Sequence, residues 1–250
     1  MEQRVHVLGI PVDTRARADV LARCAEALAG DRLAHVITAN PEIVLWASEH
    51  PADGDILRRA AFVVPDGIGL ALMVRCVSAT RVPRIRGVEL LIDLCRVAQG
   101  EGKSVCLVGG ARGVAGAAAA ILREHVPGLS VAAHNGTVRA AEEPEAFWTA
   151  LGTVRPALLA VAYGAPTQER WIATHAERLE GYGVRVAIGV GGALDMLAGR
   201  LPRAPHWLRV IGSEWLWRLA LEPRRLPRVL RATVRFPLSV AREKWRGTHD

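Results

Sequence analysis

Asp66 stands where a short apolar run, Phe62-Val63-Val64-Pro65, breaks into a turn with two glycines, Gly67 and Gly69. A carboxylate at the end of a buried strand can take a proton from an attacking hydroxyl, and partial burial raises its pKa toward a working value. The same position also suits the N-cap of a helix beginning at Ile68, because aspartate is among the preferred caps. The local sequence leaves both roles open. Thr38 and Asn40 close another apolar run and offer a hydroxyl and an amide to a sugar or nucleotide, or alternatively a turn and a cap. Two glycine-rich turns, 109–113 and 189–192, each follow an apolar run. Their backbone N–H groups, including those of Gly191 and Gly192, are of the kind that meets a diphosphate, and the first turn also opens a helix.

Other patterns carry less. The 109–113 turn matches the dinucleotide fingerprint G-x-G-x-x-G only in part. The strand after its helix ends in Ala133-His134-Asn135, not in the acid that holds a ribose in NAD enzymes. Asp53-Gly54-Asp55 has the form of the D-x-D that binds metal and sugar nucleotide in many glycosyltransferases, yet it follows Pro51 and begins a helix, which reads as a solvated capping segment. No His/Cys/Asp spacing points to a metal, and no G-x-S-x-G elbow points to a nucleophile. Neither a metal nor a cofactor is expected. Cys24, Cys76, Cys95 and Cys106 are scattered in apolar surroundings and read as packing residues.

The elements that must position these groups alternate. Strands are expected at 5–10, 35–38, 62–65, 104–108, 129–133, 157–162 and 184–190, with helices between them, one capped by Asp13 or Thr14 and running to about Ala29, another running from 167 to 179. Gln168 lies just after the strand at 157–162. Near-continuous apolar strands separated by helices predict an α/β fold, a Rossmann-like and mostly parallel sheet with helices on both faces. Every polar cluster then falls on the carboxyl-terminal edge of the sheet, where such folds bind ligands.

The chain has 250 residues and a net charge of +7. Residues 199–250 hold twelve Lys plus Arg against four Asp plus Glu, a net +8, which leaves −1 for residues 1–198. Four of the seven tryptophans also lie there: Trp207, Trp215, Trp217 and Trp245. This divides the chain into a catalytic core at 1–198 and an Arg/Trp-rich appendage at 199–250. Arg224, Arg228, Arg231 and Arg235 fall on one helix face. Such a segment needs an anionic partner, either a membrane surface, a lipid-linked phosphate or nucleic acid. The appendage is also expected to pack against the core, a lipid or a second subunit. No recognisable nucleic-acid reading motif accompanies the charge. With no signal peptide and no apolar run of about 18 residues, a cytoplasmic location is expected.

Six segments in order, TANPEIV (38–44), VPDGIGL (64–70), RIRGVELL (84–91), YGAPTQERWI (163–172), GVGGALDMLAGRLPRAPHW (189–207) and GSEWLWRLALEPRRLPR (212–228), strongly resemble the WecG/TagA/CpsF glycosyltransferases. The resemblance spans nearly the whole chain. It implies inverting, metal-independent transfer of a sugar, commonly of N-acetylmannosamine type, from a UDP-sugar to a polyprenyl-diphosphate-linked sugar at the inner membrane face during cell-surface polymer assembly. It makes Asp66 the general base and places Thr38, Asn40 and Gln168 in the pocket. It also sets Arg218, Arg225 and Arg228 of the appendage against a substrate diphosphate. Two other readings, a nucleotide- or nucleic-acid-binding protein with a basic arm and an NAD-dependent oxidoreductase, follow from the charge and the glycine turn alone.

Overall fold

A computed structural model describes residues 3–79, 82–136, 144–200, 205, 208 and 214–246. Its centre is a six-stranded parallel sheet in the order β4-β3-β8-β7-β5-β6, comprising β3 (Ala34–Ala39), β4 (Phe62–Pro65), β5 (Val105–Gly109), β6 (Val131–His134), β7 (Leu158–Ala162) and β8 (Val186–Gly189). Side chains alternate across it as a pleat requires. Val36, Phe62, Val64, Leu107, Ala160 and Ile188 face one apolar cluster. Ile37 and Val63 face a second, and Val108, Val161 and Ala187 a third, on the opposite side. Both faces are therefore buried, which explains why the strands read as unbroken apolar runs.

Helices α1 (Arg17–Ala29), α5 (Gly87–Gly100), α6 (Val114–His125) and α10 (Ala193–Leu197) cover the first face. The opposite face is covered by α2 (Pro41–Glu49), α3 (Pro51–Arg59) and α4 (Ile68–Ser78) at one end. At the other end lie α7 (Glu145–Val154), α8 (Thr167–Thr174) and α9 (Ala176–Gly181).

The expected first strand is a hairpin instead: β1 (Arg4–Val7) pairs antiparallel with β2 (Ile10–Asp13) around Leu8 and Gly9, both at positive φ. Asp13 does not cap the next helix, whose cap position is Ala16. It lies buried at the end of β2, accepting from the Val63 N–H at 2.8 Å and pairing with Arg15. The expected single helix at 167–179 is broken at His175 into α8 and α9. Cys24, Cys95 and Cys106 are buried, and burial pushes their thiols up to about 12. Cys76 departs from the packing reading and is exposed.

The C-terminal segment begins with α11 (Glu214–Leu221) and a 3-10 turn at Pro223–Arg225. It continues as α12 (Leu226–Leu230), a π-helical stretch Arg231–Arg235 and α13 (Phe236–Arg246). It packs on the core: Phe236 and Val240 are buried in the cluster that holds Ile43, Val44 and Leu57. Arg228 pairs with Glu42 at 2.8 Å and Arg235 with Glu49 at 2.8 Å. The two arginines and the two glutamates are each seven residues apart, so the tail runs parallel to α2, two turns per pair. Outward from this seam, Leu226, Leu230, Val234 and Leu238 recur every fourth residue, about half exposed, with Trp245 68 % exposed beyond them.

Candidate active site

All six sheet strands are parallel, so their carboxyl ends share one edge. Along it stand Asp66 after β4, Thr38 on β3 and Asn40 just after it, Gly191 and Gly192 after β8, and Gln168 after β7. From β4 to β7 is three interstrand spacings, about 14 Å. The four polar residues named from sequence thus come together with the 189–192 turn, and the elements explain how.

The cap position of α4 falls on Gly67 (φ 99°), one residue beyond Asp66. Asp66 is half-buried, its N–H donating to the Ala39 carbonyl at 2.7 Å, which ties the end of β4 to that of β3. Gly87, the first residue of α5, packs against both candidate residues. A methyl group there would lie 3.5 Å from Asp66 Oδ2 and 3.5 Å from Thr38 Cγ2. The positive end of a 14-residue helix therefore abuts the carboxylate. Thr38 donates its hydroxyl to the Gly189 carbonyl at 2.9 Å, joining β3 to β8. Asn40 takes the bland role the sequence offered, capping α2 through Oδ1 from the Ile43 N–H at 3.0 Å.

Gln168 is buried and its amide is engaged at both ends. Its Oε1 accepts from the N–H groups of Gly164 (3.1 Å) and Gly191 (2.9 Å), and its Nε2 donates to Glu169 Oε1 at 2.8 Å. It therefore shapes the crevice by holding the turns after β7 and β8. Glu169 is 1 % exposed, and burial pushes its carboxyl from 4.5 up to about 7. A folded-state pKa above the unfolded one means that the native protein binds this proton more tightly. The resulting stability is complete below about 4.5 and is lost as pH rises through about 7. At about 1.4 kcal/mol per unit, the full loss is on the order of 3 kcal/mol, most of it between pH 5 and pH 8. Urea unfolding at pH 5 and pH 8 should show that loss in the native protein but not in Glu169→Gln; parallel behaviour of the two would dismiss Glu169 as its source.

Arg228, through Glu42 in the first turn of α2, is brought beside the end of β3. Arg225 is half-buried and pairs with Glu222 at 3.1 Å. Arg218 lies on α11, but its side chain, like the segment 209–213 before that helix, is outside the described residues.

Two sequence patterns resolve into structural roles. Asp53 of the D-x-D is buried, not solvated: Arg170 grips it through two bonds of 2.6 and 2.7 Å, and Trp46 Nε1 donates to it at 2.7 Å. The Arg170 guanidinium holds its carboxyl below the usual 3.8. At the 109–113 turn the Tyr163 ring lies 2.8 Å from where a Cβ on Gly109 would sit, and the Gly113 N–H is taken by Asn135 Oδ1 at 3.0 Å. That turn is closed by its own neighbours. Among the described residues no group of three or more His, Cys, Asp or Glu is arranged to hold a metal, and no helix is long and apolar enough to cross a membrane.

Sequence reasoning passed over Gly87, Glu42 and Glu169. The signal for Gly87 was a glycine after Arg86 at a helix start. For Glu169 it was a Gln-Glu pair sharing a helix with Trp171 and Ile172, which makes both acid and amide inward-facing.

The model of the Glycosyl transferase WecG/TagA/CpsF family matches residues 5–250. A Staphylococcus aureus (strain MRSA252) protein, N-acetylglucosaminyldiphosphoundecaprenol N-acetyl-beta-D-mannosaminyltransferase, is 30% identical over 243 residues, covering 96% of this chain and 93% of its own. The protein of that description from strain NCTC 8325 / PS 47 matches to the same extent.

Proposed function

The chain belongs to the WecG/TagA/CpsF glycosyltransferase family, and from that membership we propose that it moves an N-acetylmannosamine-type sugar from a UDP-sugar to a polyprenyl-diphosphate-linked N-acetylglucosamine, with inversion and without a metal. The observation that carries this reading is the convergence of Asp66, Thr38 and the Gln168-held turns on one sheet edge, about 14 Å across. That length accommodates an extended nucleoside diphosphate sugar.

The step needs one base and no enzyme nucleophile. The acceptor hydroxyl oxygen forms a bond to the anomeric carbon from the face opposite the diphosphate. The carbon–oxygen bond to UDP breaks with its electron pair leaving on the β-phosphate, and the hydroxyl proton passes to Asp66. The charge on departing UDP is met at the 189–192 turn by the Gly192 N–H, the Gly191 N–H being held by Gln168, and by arginines of the tail, of which Arg228 already lies over α2. Arg218 and Arg225 are assigned to the same anionic groups. The tail's outward row of Leu226, Leu230, Val234, Leu238 and Trp245, flanked by arginines, is suited to an anionic membrane surface, where the lipid-linked acceptor resides. Each basic residue near such a surface contributes about 1 kcal/mol, so several hold the protein there reversibly.

The test is a screen of UDP-sugars with a polyprenyl-diphosphate-N-acetylglucosamine analogue. We expect UDP release and a disaccharide product of inverted configuration with an N-acetylmannosamine donor, undiminished by EDTA. Release only with a different donor would correct the sugar, dependence on a divalent cation would correct the metal assignment, and no release with any donor would remove the reading.

A further inference from the structure

The two turns that frame the crevice between β7 and β8 are joined by one side-chain amide. An amide's two ends are nearly equal in size, and nothing in its shape determines which end faces the N–H groups of Gly164 and Gly191. With the amide reversed, its NH2 would confront two donors. The two N–H groups call for the carbonyl end, and the neighbour of Gln168 in sequence fastens the other end: Glu169 Oε1 lies 2.8 Å from Gln168 Nε2. An ionised carboxylate only accepts, so it pairs with the NH2 end and turns the carbonyl end toward the glycines.

Glu169 is an unusual residue to find there. It is 1 % exposed, and among the described residues its buried second oxygen has no hydrogen-bond partner and no cation pairs with it in compensation for the charge. The adjoining backbone is shaped around the pair. A methyl group on Gly189 would lie 2.5 Å from Gln168 Nε2 and 2.7 Å from Glu169 Oε1, so only glycine lets β8 pass this close. The Gly189 carbonyl in turn receives the Thr38 hydroxyl at 2.9 Å, extending the network to β3. A buried acid with an unmet oxygen is a costly way to fill space, and the proton transfer above does not use it.

We propose that Glu169 is a positioning residue for sugar transfer: it locks the orientation of the Gln168 amide, and through it the spacing of the Gly164 and Gly191 turns that hold the donor diphosphate. The assignment rests on reading this crevice as the donor site.

The test reads the clamp and the reaction separately, on the full-length protein at pH 8, where the carboxylate is ionised. Amide hydrogen exchange is followed residue by residue at Gly164 and Gly191, with β5–β7 ladder amides as an internal control. In Glu169→Met, which fills the volume but accepts nothing, exchange at both glycines should rise at least tenfold while the ladder stays within about threefold. Glu169→Gln, which keeps an oxygen for Gln168 Nε2, should hold both glycines within about threefold. In the transfer assay the methionine variant should raise the donor KM at least tenfold, with a smaller fall in kcat. A folded Glu169→Met with native exchange at the two glycines overturns the proposal. Should that variant not fold, Glu169→Asp keeps the charge but withdraws it by one methylene; increased exchange at the same two glycines is expected, and native exchange again overturns the proposal. Loosened glycines with an unchanged donor KM would sink the donor-site reading and leave the clamp intact, whereas normal transfer with unmoved glycines would sink the clamp alone.

Discussion

Replacing Asp66 with asparagine should slow single-turnover sugar transfer by roughly 10²–10⁴-fold, the contribution expected of one positioned base, while changing UDP affinity less than about threefold. The expectation follows from the site's local construction. Asparagine matches the shape of aspartate, and the position of residue 66 is set by its own N–H on the Ala39 carbonyl, a bond the substitution leaves in place. The cap of α4 is Gly67 rather than Asp66, so the helix start does not depend on the carboxylate. What is lost is the proton acceptor beside Gly87 and the start of α5. A transfer rate in Asp66→Asn within a few-fold of the native rate, measured by rapid quench with saturating donor, would remove Asp66 as the base.

The second large effect is on stability. Phe236→Ala should cost about 3–5 kcal/mol, the usual range for emptying a buried phenylalanine site, and lower Tm by about 10 °C. Phe236 is fully buried in the cluster with Ile43, Val44 and Leu57, although it belongs to the basic tail. Trp245→Ala, nine residues further along the same helix, should change stability by less than about 0.5 kcal/mol because the ring is 68 % exposed. The pair separates the two faces of the tail: the first variant should unfold at lower urea, and the second should keep its midpoint but bind anionic vesicles more weakly. Equal midpoints for Phe236→Ala and the native protein would mean that the tail does not share the core.

Much of this architecture was legible in the sequence for a simple reason. A parallel sheet covered on both faces needs unbroken apolar strands, and Phe62–Pro65, Leu158–Ala162 and Val186–Gly189 announce themselves that way, each followed two residues on by a glycine. Placing Asp66, Thr38 and Gln168 at strand ends was then enough to bring them to one edge. What failed depended on partners far along the chain. Asp13 reads as a helix cap until Val63, fifty residues on, supplies the N–H that it accepts. Asp53 reads as a solvated acid until Arg170 arrives from α8. The hairpin at Leu8-Gly9 was hidden because alternating apolar residues continue straight through the turn. In the tail, the shared face of Arg224, Arg228, Arg231 and Arg235 was visible, but the burial of Phe236 was not, since nothing local separates it from the exposed leucines around it.

One helix touches both ends of the proposed chemistry. Helix α2 is capped by Asn40 at the strand-end crevice and, nine residues or about 13 Å later, finishes under the tail, where Glu49 meets Arg235. Its first turn holds Arg228 through Glu42. The helix is a rigid rod with the proposed sugar-nucleotide site at its head and the tail, its leucine row exposed, strapped along its length. If occupancy of the crevice shifts that rod at all, thermodynamic reciprocity requires that contact with the bilayer and affinity for the nucleotide change each other by the same factor. An enzyme built this way would couple its hold on the soluble substrate to its contact with the membrane, with no separate sensor.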